Sequence, residues 1–132
     1  MWREYDDKLA HDICYNSGSD VTKRTHAYFR RQIYQTPDKV WAEMLDDYAF
    51  YFAVKCSKHV RLIEIAVKTE YQGKGIGMVV LYRLLERMKR NGIKKMTFRT
   101  PMNEKSHTFW LHLGAKIKDV KGDDYEMELN IE

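Results

Sequence analysis

The sequence predicts an α/β (α+β) domain in which one sheet is covered by helices on both faces, and three observations carry that expectation. Two apolar runs, Tyr48 to Lys55 and Val60 to Val67, are separated by only the four residues Cys56 to His59, the mark of an antiparallel pair. A helical face of Met78, Leu81, Tyr82, Leu85 and Met88 follows soon after. The C-terminal segment alternates, with Tyr125, Met127, Leu129 and Ile131 on one side and Glu126, Glu128, Asn130 and Glu132 on the other.

Taken in order, the chain opens with Trp2, Tyr5, Leu9 and Ile13 at helical spacing. Phe29 and Ile33 mark a second helix after the polar stretch SGSDVTKRT. A third helix is expected from Thr36 as a cap, Pro37 in the first turn, and Val40, Trp41, Met44 and Leu45 as one apolar stripe. The run YAFYFAVK is aromatic and nearly free of polar residues, as a strand buried on both faces would be. VRLIEIAV is its neighbour. The helix after the glycine stretch ends at Asn91 and Gly92. KKMTFRT is a strand bounded by Pro101, and NEKSHTFWLHLG a short helix with Asn103 as cap and Gly114 as stop. AKIKDVK, the turn GDD and the alternating tail form a terminal hairpin. After the leading helices the order is strand, strand, helix, strand, helix, strand, strand.

Length and composition narrow the function classes. A chain of 132 residues, 44% hydrophobic and 13% aromatic, fits a single folded domain over residues 1–132 and not a disordered chain. No apolar run approaches the ~20 residues of a membrane span, and the acidic start MWREYDDKLAHD is unlike a secretory leader. A cytoplasmic protein with no membrane role is expected. Cys14 and Cys56 are too few for a disulfide framework. Each has a histidine three residues away, His11 and His59, but the set lacks the compactness of a zinc site, so no metal is expected. The net charge of +4 favours anionic partners without selecting one. The basic residues of YRLLERMKRNGIKK read most simply as a solvated helix face. Aromatic residues are poorly interleaved among them, which argues against nucleic acid.

The stretch EYQGKGIGMVV sets Gly73, Gly75 and Gly77 between a strand and a helix. Backbone N–H groups at a helix N-terminus attract an anion, and glycine lets one approach without a Cβ in the way. A phosphate is the guest this predicts, with a bare chain reversal as the plainer alternative. The spacing is neither the dinucleotide fingerprint nor a P-loop.

QGKGIG, with Gln72, Gly75 and Gly77, resembles the Gln/Arg-x-x-Gly-x-Gly/Ala signature of the GCN5-related N-acetyltransferase (GNAT) superfamily. NEKSHTFWLHLGA resembles that family's second motif through Asn103, Ser106, Phe109, Trp110, Gly114 and Ala115. The resemblance spans about Tyr48 to Glu132. It implies a mixed, mostly antiparallel sheet whose central parallel strands splay, with acetyl-CoA as co-substrate in the gap. Carried over, Ile65, Ala66 and Val67 would offer backbone to the pantetheine arm. Gln72, Gly73, Lys74, Gly75, Ile76 and Gly77 would hold the pyrophosphate, and Asn103 and Trp110 would contact the arm. The family usually begins with a strand, whereas this chain reads as helical from the start, so a shortened N-terminal region is expected.

The activity implied is transfer of acetyl from acetyl-CoA to a primary amine of a small molecule or a protein, by direct attack. A protonated amine needs a base, and Glu64 in RLIEIAV is the candidate, with Leu62 and Ala66 as same-face neighbours raising its pKa. The plainer reading of Glu64 is a carboxylate paired with Arg61, Lys95 or Arg99. His59 and His107 stand in reserve. The family's tyrosine acid is replaced by Trp110, whose indole N–H does not protonate a thiolate. A catalytically inactive module that keeps the cleft is therefore the alternative. Tyr82 and Tyr125 have no assigned place. The tyrosines Tyr5, Tyr15, Tyr28, Tyr34, Tyr48 and Tyr51 line an acceptor pocket or fill the core. The positive charge disfavours polycationic acceptors, and a free sheet edge leaves room for a homodimer.

Overall fold

The computed structural model describes residues 1–16, 23–102 and 104–131, with backbone alone for residues 16, 23–27 and 104–106. Its elements are β1 (Trp2–Glu4), α1 (Asp7–Asn16), α2 (Lys23–Gln35), β2 (Val40–Leu45), β3 (Ala49–Lys55), β4 (Val60–Val67), α3 (Ile76–Arg90), β5 (Lys95–Pro101), α4 (Glu104–His112), β6 (Lys116–Lys121) and β7 (Asp124–Asn130). All seven strands form one sheet in the order β1-β2-β3-β4-β5-β7-β6. Every neighbouring pair is antiparallel except β4 and β5. The predicted mixed, mostly antiparallel sheet is the one observed.

Two apolar layers flank it. Trp41, Tyr51, Leu62, Met96, Phe98 and Met127 meet Val80, Leu81, Leu84 and Met88 of α3 on one face. On the other, Met44, Phe50, Phe52 and Ala66 meet Ala10, Ile13 and Cys14 of α1 and Phe29 of α2. Phe29 stacks on Phe52 with ring centres 4.4 Å apart. Alternation within β3 sends Phe50 and Phe52 one way and Tyr51 and Ala53 the other, so a run without polar residues serves both layers.

Three sequence expectations are corrected. The opening residues are not helical: Trp2 to Glu4 form β1, paired with Leu45 to Glu43, so a first strand does precede the helices although it is only three residues long. A strand that short shows no period. Its Trp2 packs against the α3 layer while Tyr5 turns to Phe50 and Phe52.

Residues 40–45 are likewise a strand, after a single 3₁₀ turn at Pro37–Lys39. Val40, Ala42 and Met44 face α1 and α2, and Trp41 and Leu45 face α3. Apolar residues on both faces of a buried strand imitate a helical stripe. The buried stripe of α3 is centred on Val80, Leu81, Leu84 and Met88, with Tyr82 56% exposed. Tyr82 is thus a surface residue and not part of the core face.

The one carboxylate of β2 on the α3 side, Glu43, is fully occupied. It accepts from Tyr51 Oη at 2.6 Å and from Arg83 at 2.9 and 3.2 Å. Arg87 donates to the Tyr51 oxygen at 3.3 Å and lies over the Trp41 ring. Burial and the Glu43 bond hold the Tyr51 hydroxyl in its neutral form. Tyr51→Phe leaves Glu43 one donor short in a partly buried place, and is expected to cost about 1–2 kcal/mol in urea denaturation. An unchanged midpoint would mean that water replaces the hydroxyl.

Among the described residues no helix is long and apolar enough to cross a membrane. Among those same residues no three His, Cys, Asp or Glu side chains gather where they could hold a metal ion. Cys14 is buried on α1, and Cys56 lies in the turn between β3 and β4.

Candidate active site

The sheet is interrupted at its centre. β4 is eight residues long and β5 seven, yet they pair only at Val60 with Met96 and Arg61 with Thr97. Beyond those two rungs the strands separate. The backbone of β4 from Leu62 to Val67 is laddered to β3 on one side and has no strand on the other. Extended backbone with a free row of N–H and C=O groups accepts another extended chain. Ile65, Ala66 and Val67 lie on that free edge.

A bulge helps to open the gap. Phe52 pairs with Glu64 and Ala53 with Leu62, leaving Ile63 as the extra residue. Such an insertion bends the strand and raises its twist. It also reverses which face the following side chains occupy. Leu62 lies in the α3 layer, whereas Glu64, opposite Phe52, lies with Ala66 on the α1 and α2 face. The expectation that Leu62 and Ala66 flank Glu64 on one face therefore holds only for Ala66. Alternation counted along the sequence cannot see the extra residue.

Glu64 is partly exposed, and its carboxyl is pushed up to about 7. Burial is the main cause, and a bond from the Ile65 backbone acts against it. Its charge in turn reaches Cys14 of α1, whose thiol is pushed up to about 12 by burial first and by Glu64 second. The ion-pair reading of Glu64 is not what the structure contains. Arg61 donates from both terminal nitrogens to Glu126 of β7, and Arg99 also lies against Glu126. A carboxyl near 7 is divided between its two protonation states at neutral pH, which suits a group that takes up and releases protons.

The glycine loop closes the end of the gap. A 3₁₀ turn at Thr69–Tyr71 follows β4, and Tyr71 stacks on Tyr48 with centres 4.3 Å apart. Gln72 is exposed, and its Nε2 donates to the Val67 carbonyl at 2.9 Å. This bond ties the loop to the last residue of β4. Lys74 lies with its ammonium 5.7 Å from the Tyr71 ring centre.

Gly73 and Gly75 both have φ of +78°, and Gly75 is the residue from which α3 starts, before Ile76. Gly77 has ordinary helical φ, yet nothing lies within 4 Å of where its Cβ would be. A Cβ at Gly77 would stand in open space beside α3's first N–H groups, where the helix dipole makes the potential positive.

Across the gap, α4 places Trp110 on Phe98 of β5, with ring centres 4.1 Å apart. Phe109 touches Trp110 edge-on and is 39% exposed. His107 meets Tyr125 of β7 edge-to-face at 5.5 Å, and Tyr125 is opposite Thr100 at the end of β5. Tyr125 has no place assignable from sequence alone; the hairpin register supplies it. His59 lies in the exposed turn before β4, at the end where β4 and β5 are still paired, away from Glu64. Asn103 lies outside the described residues, as does the side chain of Ser106. Tyr5, Tyr28, Tyr48 and Tyr51 pack with the core layers, whereas Tyr15 and Tyr34 are exposed.

The family model "Acetyltransferase (GNAT) family" matches residues 23–115. No curated protein matches the sequence. Among solved structures, the PaiA N-acetyltransferase from Thermoplasma acidophilum, in complex with coenzyme A, is 17% identical. That alignment covers 99% of this chain and 98% of that one, with a TM-score of 0.74. The ribosomal-protein-S18-alanine N-acetyltransferase from Escherichia coli is 16% identical over 99% and 93%, with a TM-score of 0.80. Ard1 from Thermoplasma volcanium is 16% identical over 100% and 98%, with a TM-score of 0.75.

Proposed function

Because the chain belongs to the acetyltransferase (GNAT) family, we propose that it transfers acetyl from acetyl-CoA to a primary amine, with Glu64 as the base. One observation carries the reading: β4 and β5 part after two rungs, and a glycine loop with clear space beside it stands at the end of the gap. The residues fit the group. The β4 edge at Ile65, Ala66 and Val67, which no strand covers on the β5 side, suits the amides of a pantetheine arm, and the N–H groups of Gly73 to Gly77 suit a pyrophosphate. Gln72 holds the loop to β4, and Lys74 adds positive charge. Trp110 forms an apolar wall on the β5 side. A solved relative in the same fold is a complex with coenzyme A, which supports the choice of cofactor.

Bound there, acetyl-CoA supplies an acetyl group activated as a thioester. Glu64, ionised, takes the proton from the incoming ammonium, leaving its nitrogen lone pair free to bond the carbonyl carbon as the carbon–sulfur bond breaks. Trp110 offers no acid proton, so the second proton, shed by the nitrogen as it becomes an amide, would pass through water to the departing thiolate, a good leaving group because its parent thiol is a modest acid. The same substitution favours a second reading, a module that binds acetyl-CoA without turnover. The acceptor is an amine of a small molecule or protein, and neither nucleic acid nor membrane enters the reaction.

Melting measured with saturating acetyl-CoA, against ATP as a phosphate control, tests the cleft. Ligand at ~100 times its dissociation constant adds roughly 2.7 kcal/mol, several degrees for a domain of this size. A shift with acetyl-CoA and release of thiol with an amine supports the enzyme. A shift without thiol release from any amine supports the module, and no shift rejects both.

A further inference from the structure

The face of the sheet that carries Glu64 is covered unevenly. Over β2, β3 and β4 it is packed by α1 and α2, and among the described residues every buried member of that layer comes from those five elements. On β5 the same face presents Lys95, Thr97 and Arg99, none of them buried, between the buried Met96, Phe98 and Thr100 of the other face. On β7 it presents Glu126, opposite Arg99, and Glu128, opposite Thr97.

The charges there do not balance. Arg61 donates from two nitrogens to the two oxygens of Glu126, one bond being 2.9 Å. Arg99 Nε lies 3.8 Å from the same carboxylate, near enough for attraction and too far for a hydrogen bond. One carboxylate thus serves two guanidiniums, and Arg61 already engages both its oxygens. Among the described residues Glu126 is the sole carboxylate in ion-pair range of Arg99, whose side chain is 53% exposed. Glu128 is itself matched by Lys118 at 3.8 Å.

Position gives this excess cation a use. The β4–β5 register sets Arg61 opposite Thr97. Beyond that rung the strands part; counted on past the extra residue Ile63, Glu64 and Arg99 occupy corresponding places on the same face of the two strands, one on each bank of the widening gap.

We infer that the acceptor carries a carboxylate close to its amine, and that Arg99 receives that carboxylate while the amine faces Glu64. This rests on the transferase reading and adds the substrate class to it. A planar guanidinium with donors to spare is the side chain that a carboxylate pairs with best. The same surplus of positive charge repels acceptors with a second ammonium group.

The test pairs ω-amino carboxylates of two to five methylenes with their carboxamides, followed by thiol release from acetyl-CoA. The carboxylate is expected to have the higher kcat/KM by about 10- to 100-fold, the range of a charge-assisted bond. Arg99→Gln is expected to bring that ratio near unity, chiefly through KM, and Arg99→Lys to retain part of it. No preference for the carboxylate in the wild type, or a ratio unmoved by Arg99→Gln, overturns the inference. Calorimetric binding of the N-acetylated carboxylate and carboxamide, in the presence of free coenzyme A, gives an answer that does not need turnover. Selective binding of the carboxylate, lost in Arg99→Gln, supports the site even in an inactive module, and equal or absent binding of both rejects it. An acetyl-CoA melting shift without any such selectivity leaves the transferase reading standing and removes this one.

Discussion

Glu64→Gln is expected to lower kcat by about 10²- to 10⁴-fold while acetyl-CoA affinity changes little. The glutamine keeps the size of the side chain and its place opposite Phe52, and removes only the ability to take a proton. The pH profile checks the same assignment in the unaltered protein. A base works in its ionised form, and the Glu64 carboxyl is pushed up to about 7, so kcat/KM is expected to rise through that pH and level above it. In Glu64→Gln this limb should vanish. Turnover within a few-fold of the wild type, or an unaltered limb, would remove Glu64 from the mechanism.

Stability gives an independent sign for the same group. A carboxyl raised from its ordinary value of 4.5 to about 7 on folding keeps its proton in the folded chain after the unfolded chain has lost it. Between those values the folded state binds more protons, so stability falls as pH rises and the penalty is complete above about 7. Glu64→Gln is therefore expected to melt higher than the wild type at pH 8, with the difference shrinking towards pH 5. A structural carboxylate held by an arginine would show the reverse. Retained burial costs at the site are thus separable from the loss of turnover.

What could be read from the sequence divides along physical lines. β3, β4, α3, β5, α4 and the terminal hairpin were legible because each is a run of one period closed by glycine, proline or a tight turn. β1 and β2 were not. β1 is three residues held by its ladder to β2, and β2 is apolar on both faces, so neither carries a period of its own. In the candidate site, the strand that carries Glu64 and the glycine turn before α3 were legible from pattern and motif. The company Glu64 keeps did not, since the bulge at Ile63 exists only in the pairing with β3. Arg99 was legible only as one of three candidate ion-pair partners for Glu64, and its place across the gap needs both the bulge and the splay.

Gly77→Ala is expected to separate folding from binding in a way no chain-reversal role for the loop allows. Gly77 lies in the first turn of α3 with ordinary φ, and a Cβ there meets nothing within 4 Å. Alanine is the better helix residue by up to about 1 kcal/mol, so the variant should melt at or slightly above the wild-type temperature without ligand. Acetyl-CoA affinity should nevertheless fall about 10- to 100-fold, the worth of one charge-assisted bond, because the new methyl occupies the approach to the helix N–H groups. Gly75→Ala provides the contrast: its φ of +78° strains any Cβ, so that variant is expected to lose about 1 kcal/mol of stability as well as affinity. If Gly77→Ala binds acetyl-CoA as tightly as the wild type, the cleared space beside α3 holds no phosphate. A loss confined to ligand binding, in a protein otherwise as stable or more so, has one physical source: room kept at the helix N-terminus for an anion.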